Sequence, residues 1–172
     1  MMKQLSNVNR SRRLRVQANI VFLYYRDLVA AQKFYEDVLG LKLIVDQGFS
    51  KIYQISPTCF VGLVDEKQGM HSASETKAVT LSFVTEEIDG WYRYLLSRGV
   101  KMHSPIKNSI RHPTRGFVAY DPEGYYLEFE RFLEHRQNAA LLRRLMKRGS
   151  QEIARAHLTQ KHQSLTNEMI IM

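Results

Sequence analysis

The run YDPEGYYLEFE, residues 120–130, places Glu128 and Glu130 among tyrosines and a phenylalanine. Side chains alternate along a strand, so Tyr125, Leu127 and Phe129 share one face while Tyr126, Glu128 and Glu130 share the other. The first face reads as core. On the second, Glu128 has three chemical uses. It can take a cationic or hydrogen-bond-donating ligand group while aromatics stack on the remainder. It can act as a general base, because burial raises a carboxyl pKa and an inward Glu130 adds like-charge repulsion. Or it is structural, satisfied by Arg115 or a backbone donor. His112 and Arg115, in RHPTRGF, precede the penultimate strand and suit an anionic ligand group, or form a solvated basic turn.

The same parity applies to two other strands. In AVTLSFV, residues 78–84, Val79, Leu81 and Phe83 face one way, and Thr80, Ser82 and Val84 the other. In ANIVFLYY, residues 18–25, the set aligned with Thr80 and Glu128 is Ile20, Phe22 and Tyr24. One sheet face therefore packs on helices. The other is wet surface or a cavity lining, and the apolar first strand favours the cavity.

Other chemistry finds little support. His71, His103 and His112 lack the i, i+2 or i, i+4 spacing of a paired metal site, and His157 and His162 fall on different helix faces. Cys59 is the single cysteine, so no intramolecular disulfide forms, and a reducing cytoplasm is expected. There is no glycine-rich phosphate loop, no Gly-x-Ser-x-Gly elbow and no Cys-His pairing.

The elements that position these residues repeat. After the first strand, Asp27 is placed to cap a helix from Leu28 whose apolar positions follow helical spacing until Gly40. LKLIVD, KIYQI and CFVGLV read as three strands, and polar residues 67–77 as a crossover loop. The scheme then recurs: strand AVTLSFV, acids Glu86 and Glu87 at a helix start, the stripe Ile88, Trp91, Tyr92 and Leu95, a stop at Gly99, and strands VKMHSPI, GFVAY and YYLEFERF. Leu28 and Ile88 are 60 positions apart, and Gly40 and Gly99 are 59 apart. The chain is an internal repeat of a βαβββ unit.

These boundaries divide the 172 residues into a basic N-terminal tail (1–17), a central domain (18–133, with modules about 18–66 and 78–133) and a basic helical C-terminal extension (134–172). The formal net charge of +8 distributes as +5, −1 and +4 over the three. Basic flanks suit a solvated tail first and a nucleic-acid partner second. In the extension, Leu141, Leu142 and Leu145 form a narrow stripe, and Ser150 is placed to cap a second helix through Ile153 and Leu158. No run approaches a membrane span, so no membrane partner is expected.

With two βαβββ units, RDLVAAQKFYEDVLGLKL and FVAYDPEGYYLEFE, residues 18–132 resemble the glyoxalase/bleomycin-resistance/dioxygenase superfamily, the vicinal oxygen chelate proteins. The resemblance implies an α+β fold in which two paired modules form a cupped mixed sheet holding the ligand, often with a divalent metal, and often as a homodimer. Glu128 matches the family's usual metal-binding Glu. Ile20 and Thr80 fall at the other usual ligand positions, where Ile20 cannot donate and Thr80 donates poorly. The expectation is a small-molecule-binding protein with a degenerate metal site, lined by Ile20, Phe22, Tyr24, Thr80, Ser82, His112, Arg115, Tyr126, Glu128 and Glu130, with no cofactor. The alternatives are a metal- or Glu128-dependent lyase, isomerase or dioxygenase, with Glu128 as its catalytic or metal-binding residue, and a nucleic-acid-associated module.

Overall fold

The computed structural model describes residues 16–147. The helix expected from Ser150, His157, His162 and nearly all of the N-terminal tail lie outside them. The described chain forms two compact units. The first comprises the residues up to Ala78 together with Asp121–Tyr125, and the second comprises Val79–Tyr120 and the residues from Tyr126 onward.

The first unit contains β1 (Asn19–Tyr25), α1 (Leu28–Lys33), β2 (Lys42–Asp46), β3 (Ser50–Ser56) and β4 (Cys59–Asp65). Asp27 caps α1 by accepting from the Ala30 backbone N–H at 2.9 Å, as its position predicts. The expected single helix changes pitch, because residues Phe34–Val38 continue it as a π-helical turn. Gly40 then takes a φ of 65°, a left-handed conformation that a side chain would resist. Sheet order is β1-β4-β3-β2, with β1 parallel to β4 and the other pairs antiparallel. The helix carries the chain back to β2 at the far edge, and two antiparallel turns then bring β4 in beside β1 running the same way. Leu23, Tyr25, Ala31, Tyr35, Tyr53, Val61 and Leu63 are buried.

The Asp-Pro-x-Gly turn explains its own composition within this unit. Asp121 is buried, its Oδ2 accepts from the Tyr25 hydroxyl at 2.7 Å, and its Oδ1 accepts from the backbone N–H groups of Glu123 (3.0 Å) and Tyr125 (2.8 Å). Gly124 supplies a φ of 86°. A buried carboxylate with three donors organises the turn and ties it to β1. Burial nevertheless raises the Asp121 pKa above the ordinary carboxylate range.

The second unit repeats the plan with β5 (Thr80–Val84), α2 (Ile88–Ser97), β6 (Met102–Asn108), β7 (Thr114–Tyr120) and β8 (Tyr126–Phe132). Its order is β5-β8-β7-β6, with β5 parallel to β8. The repeat is inexact at the helix start: the Glu87 side chain makes no capping hydrogen bond. Gly99 ends the segment with a φ of 72°. Phe129 centres the core, with ring centroids of Phe83, Trp91 and Phe117 at 4.9, 5.1 and 5.0 Å. Residues 139–147 are helical, and Leu145 of the expected stripe is 39% exposed. Among the described residues, no helix is long and apolar enough to cross a membrane.

Candidate functional site

The alternation in β8 holds. Tyr125, Leu127 and Phe129 are 7%, 0% and 1% exposed, whereas Tyr126, Glu128 and Glu130 are half-buried on the opposite face. Neighbouring strands complete that face by register. Val118 stands opposite Glu128 and Ser104 opposite Val118, while Gly116 stands opposite Glu130 and Lys107 opposite Gly116. Ser82 and Val84 of β5 lie beside Glu128 and Glu130 from the other side.

The loop joining β6 and β7, residues 109–113, adds a wall. Together with the sheet face it encloses a basin of about 450 Å³ whose lining includes Glu128, Glu130, Lys107, Arg111 and His112. Ser109 shapes the loop, since its hydroxyl accepts from the Arg111 backbone N–H (3.2 Å) and lies 3.3 Å from His112 Nδ1. Asn138 anchors the loop's base. Its side-chain amide, buried with the rest of the residue at 7% exposure, donates to the carbonyls of Pro113 and Leu133, each at 2.8 Å. The C-terminal extension thus holds the segment that carries His112. Sequence reading missed Asn138, because its partners are backbone atoms with no signature.

The two carboxylates differ. Glu130 Oε1 accepts from the Ser82 hydroxyl at 2.8 Å. No described residue donates to the Glu128 carboxylate. Desolvation raises the Glu128 pKa, Glu130 raises it further by repulsion, and His112 opposes both. Beyond Glu128 on the same unit lies an aromatic corner, in which His103 Nδ1 and the Tyr120 hydroxyl share a hydrogen bond of 2.7 Å and the Tyr126 ring centroid is 4.8 Å from that of His103.

The other expected residues fall in different places. Arg115 lies on the helix-facing side of β7 with Phe117 and Ala119, where its guanidinium donates to both carboxylate oxygens of Asp89 at 3.0 Å. That pair depresses the Asp89 pKa. Arg115 is therefore separated from His112, and strand parity counted from Phe117 carries the signal. Thr80 and Ser82 are exposed on β5. Ile20, Phe22 and Tyr24 belong to the first unit, on the β1 face opposite Leu23 and Tyr25; Ile20 and Phe22 are 39% and 46% exposed, and Tyr24 meets His71 edge-on at 5.1 Å.

The donor chemistry does not fit a divalent metal. Ile20 offers no lone pair, Thr80 only a hydroxyl, and among the described residues no group of three or more His, Cys, Asp or Glu is placed to hold an ion.

A family model described as Glyoxalase/Bleomycin resistance protein/Dioxygenase superfamily matches residues 17–129. No curated protein matches the chain. Among solved structures it is similar to an integron cassette protein from the mobile metagenome of the Halifax Harbour sewage outfall, at 25% identity and TM-score 0.56 over 67% of this chain and 97% of that one. A glyoxalase/bleomycin resistance protein/dioxygenase from Nocardioides aligns at 23% identity and TM-score 0.58, covering 72% and 88%. A lactoylglutathione lyase from Agrobacterium tumefaciens aligns at 18% identity and TM-score 0.53, covering 65% and 90%. The last two likenesses concern the fold.

Proposed function

The chain belongs to the glyoxalase/bleomycin resistance protein/dioxygenase superfamily, and from that premise we propose that it binds a small, partly aromatic molecule in the basin of the second unit without an intervening metal. One observation carries this reading: Glu128 is held half-buried at the basin with no described protein donor; the family resemblance adds that Ile20 and Thr80 stand at sequence positions where other members carry metal ligands. A carboxylate in that condition gains most from a ligand ammonium or N–H. A charge-assisted hydrogen bond contributes about 1.5–3 kcal/mol, and it offsets the desolvation already imposed. Val118 and Ile110 supply apolar lining for the rest of the molecule.

The test has two arms. Elemental analysis after incubation with Mn, Fe, Ni and Zn salts is expected to find no stoichiometric ion, and one ion per chain would overturn the metal-free reading. Titration with benzylamine is expected to show binding that Glu128→Gln weakens about tenfold, the equivalent of a 1.4 kcal/mol loss.

The raised Glu128 pKa favours a second reading, in which the same carboxylate is the base of a lyase or isomerase. That reading requires a turnover that Glu128→Gln abolishes while the fold survives. We also propose a homodimer, checked by light scattering. The nucleic-acid reading rests on the charge of the flanks alone and is not part of this proposal.

A further inference from the structure

The basin is charged at both ends. One transverse row of the sheet runs Glu130, Gly116, Lys107 across β8, β7 and β6. Adjacent strands are about 4.8 Å apart, so the outer two backbones of this row are separated by roughly 10 Å. Gly116 places no side chain between them. An added Cβ there would lie 2.2 Å from the Phe129 carbonyl oxygen, so glycine is required by the approach of β8 and the gap is built into the sheet. Arg111 and His112 also line the basin, and His112 is near enough to Glu128 to act on its carboxylate. Among the described residues, neither Lys107 nor Arg111 forms an ion pair, although two carboxylates line the same cavity. Opposite charges kept apart across an open floor select a ligand that carries both charges, also kept apart.

Resting on the binding reading above, we infer that the ligand is a small zwitterion, its cationic group held by Glu128 and Glu130 and its anionic group by Lys107, Arg111 and His112, with an apolar or aromatic spacer over Gly116 and Val118. Neither the cation-only nor the anion-only molecule satisfies both walls.

Three probes sharing one ring test this by calorimetry on the full chain: 4-(aminomethyl)benzoate, benzylamine and benzoate. The zwitterion is expected to bind about tenfold more tightly than either singly charged probe. Lys107→Ala with Arg111→Ala should reduce it to the affinity of benzylamine, and Glu128→Gln should reduce it towards that of benzoate. All three substituted residues line the basin, and circular dichroism verifies that the variants fold. Equal affinity for 4-(aminomethyl)benzoate and benzylamine would overturn the zwitterion inference and leave the Glu128 reading standing. Binding of benzoate without benzylamine would overturn the Glu128 reading itself. Failure of all three probes at concentrations up to roughly 10 mM would overturn both the zwitterion inference and the binding reading on which it rests.

Discussion

Ser82 donates its hydroxyl hydrogen to Glu130 over 2.8 Å, and the neighbouring Glu128 receives no such bond from any described residue. One carboxylate is settled and the other is held in reserve. The Glu128 pKa is raised, chiefly by desolvation. A carboxyl raised above its unfolded value stabilises the fold fully below the unfolded pKa, and that contribution disappears as pH rises through the folded value. Glu128→Gln should therefore be more stable than the parent at neutral pH, with the difference vanishing on acidification below the carboxylate range. Solvent screening limits the gain to about 1 kcal/mol, or a Tm rise of under about 4 °C, read by calorimetry at several pH values.

The Tyr25–Asp121 bond makes a stronger prediction. Asp121→Ala removes the acceptor of a buried hydroxyl and of two backbone N–H groups, and is expected to cost about 3–5 kcal/mol in denaturant unfolding. Tyr25→Phe removes a single donor and should cost about 1–3 kcal/mol. Equal midpoints for Asp121→Ala and the parent would refute the structural role assigned to the Asp-Pro-x-Gly run.

Burial pushes the hydroxyls of Tyr25, Tyr35 and Tyr53 well above the ordinary tyrosine range. Their raised values mean that stability present below about pH 10 is lost as pH climbs further. In an ultraviolet titration of the nine tyrosines, these three should ionise only with alkaline unfolding. Smooth titration of all nine near pH 10 in folded protein would contradict this.

Two glycines in strands should respond unequally to alanine. A Cβ at Gly116 meets backbone, the Phe129 oxygen at 2.2 Å, so β7 and β8 must separate; the expected loss is about 1–3 kcal/mol. A Cβ at Gly62 meets the Phe22 ring at 2.2 Å, but that ring is 46% exposed and can swing aside. Gly62→Ala should stay within about 1 kcal/mol of the parent.

Asn138→Ala is expected to loosen the 109–113 loop. It removes the side-chain donor to the carbonyls of Pro113 and Leu133, the first of which keeps the Leu133 backbone N–H, and should cost about 1–3 kcal/mol, with faster amide exchange in that loop. Arg115→Ala, by contrast, removes an exposed pair with Asp89 and should leave benzylamine binding unchanged.

Local rules made most of the fold legible. Asp27 caps because a short acceptor precedes an apolar helical stripe, and Gly40 and Gly99 mark ends where φ is positive. The 60-residue spacing foretold a repeated βαβββ unit, and the two units share one strand order. Parity in β8 separated Glu128 from Leu127 and Phe129. The same parity, counted from Phe117, assigns Arg115 to the helix side, yet sequence proximity to His112 had grouped the two at a rim. The basic lining of the basin escaped notice because Lys107 is aligned with Glu130 only by the register of β6, β7 and β8, and Arg111 lies on a loop that Asn138 anchors from a distance at Pro113. The π turn at Phe34–Val38 likewise has no signal in the sequence, since its residues keep an ordinary helical pattern.

The most direct test of the central claim is the carboxyl carbon-13 titration of Glu128, assigned by comparison with Glu128→Gln, with and without benzylamine. Direct recognition of the ligand's cation predicts a pKa above the usual carboxylate range in the free protein, falling when benzylamine is added. A Glu128 pKa that benzylamine leaves unmoved at saturation would contradict the account.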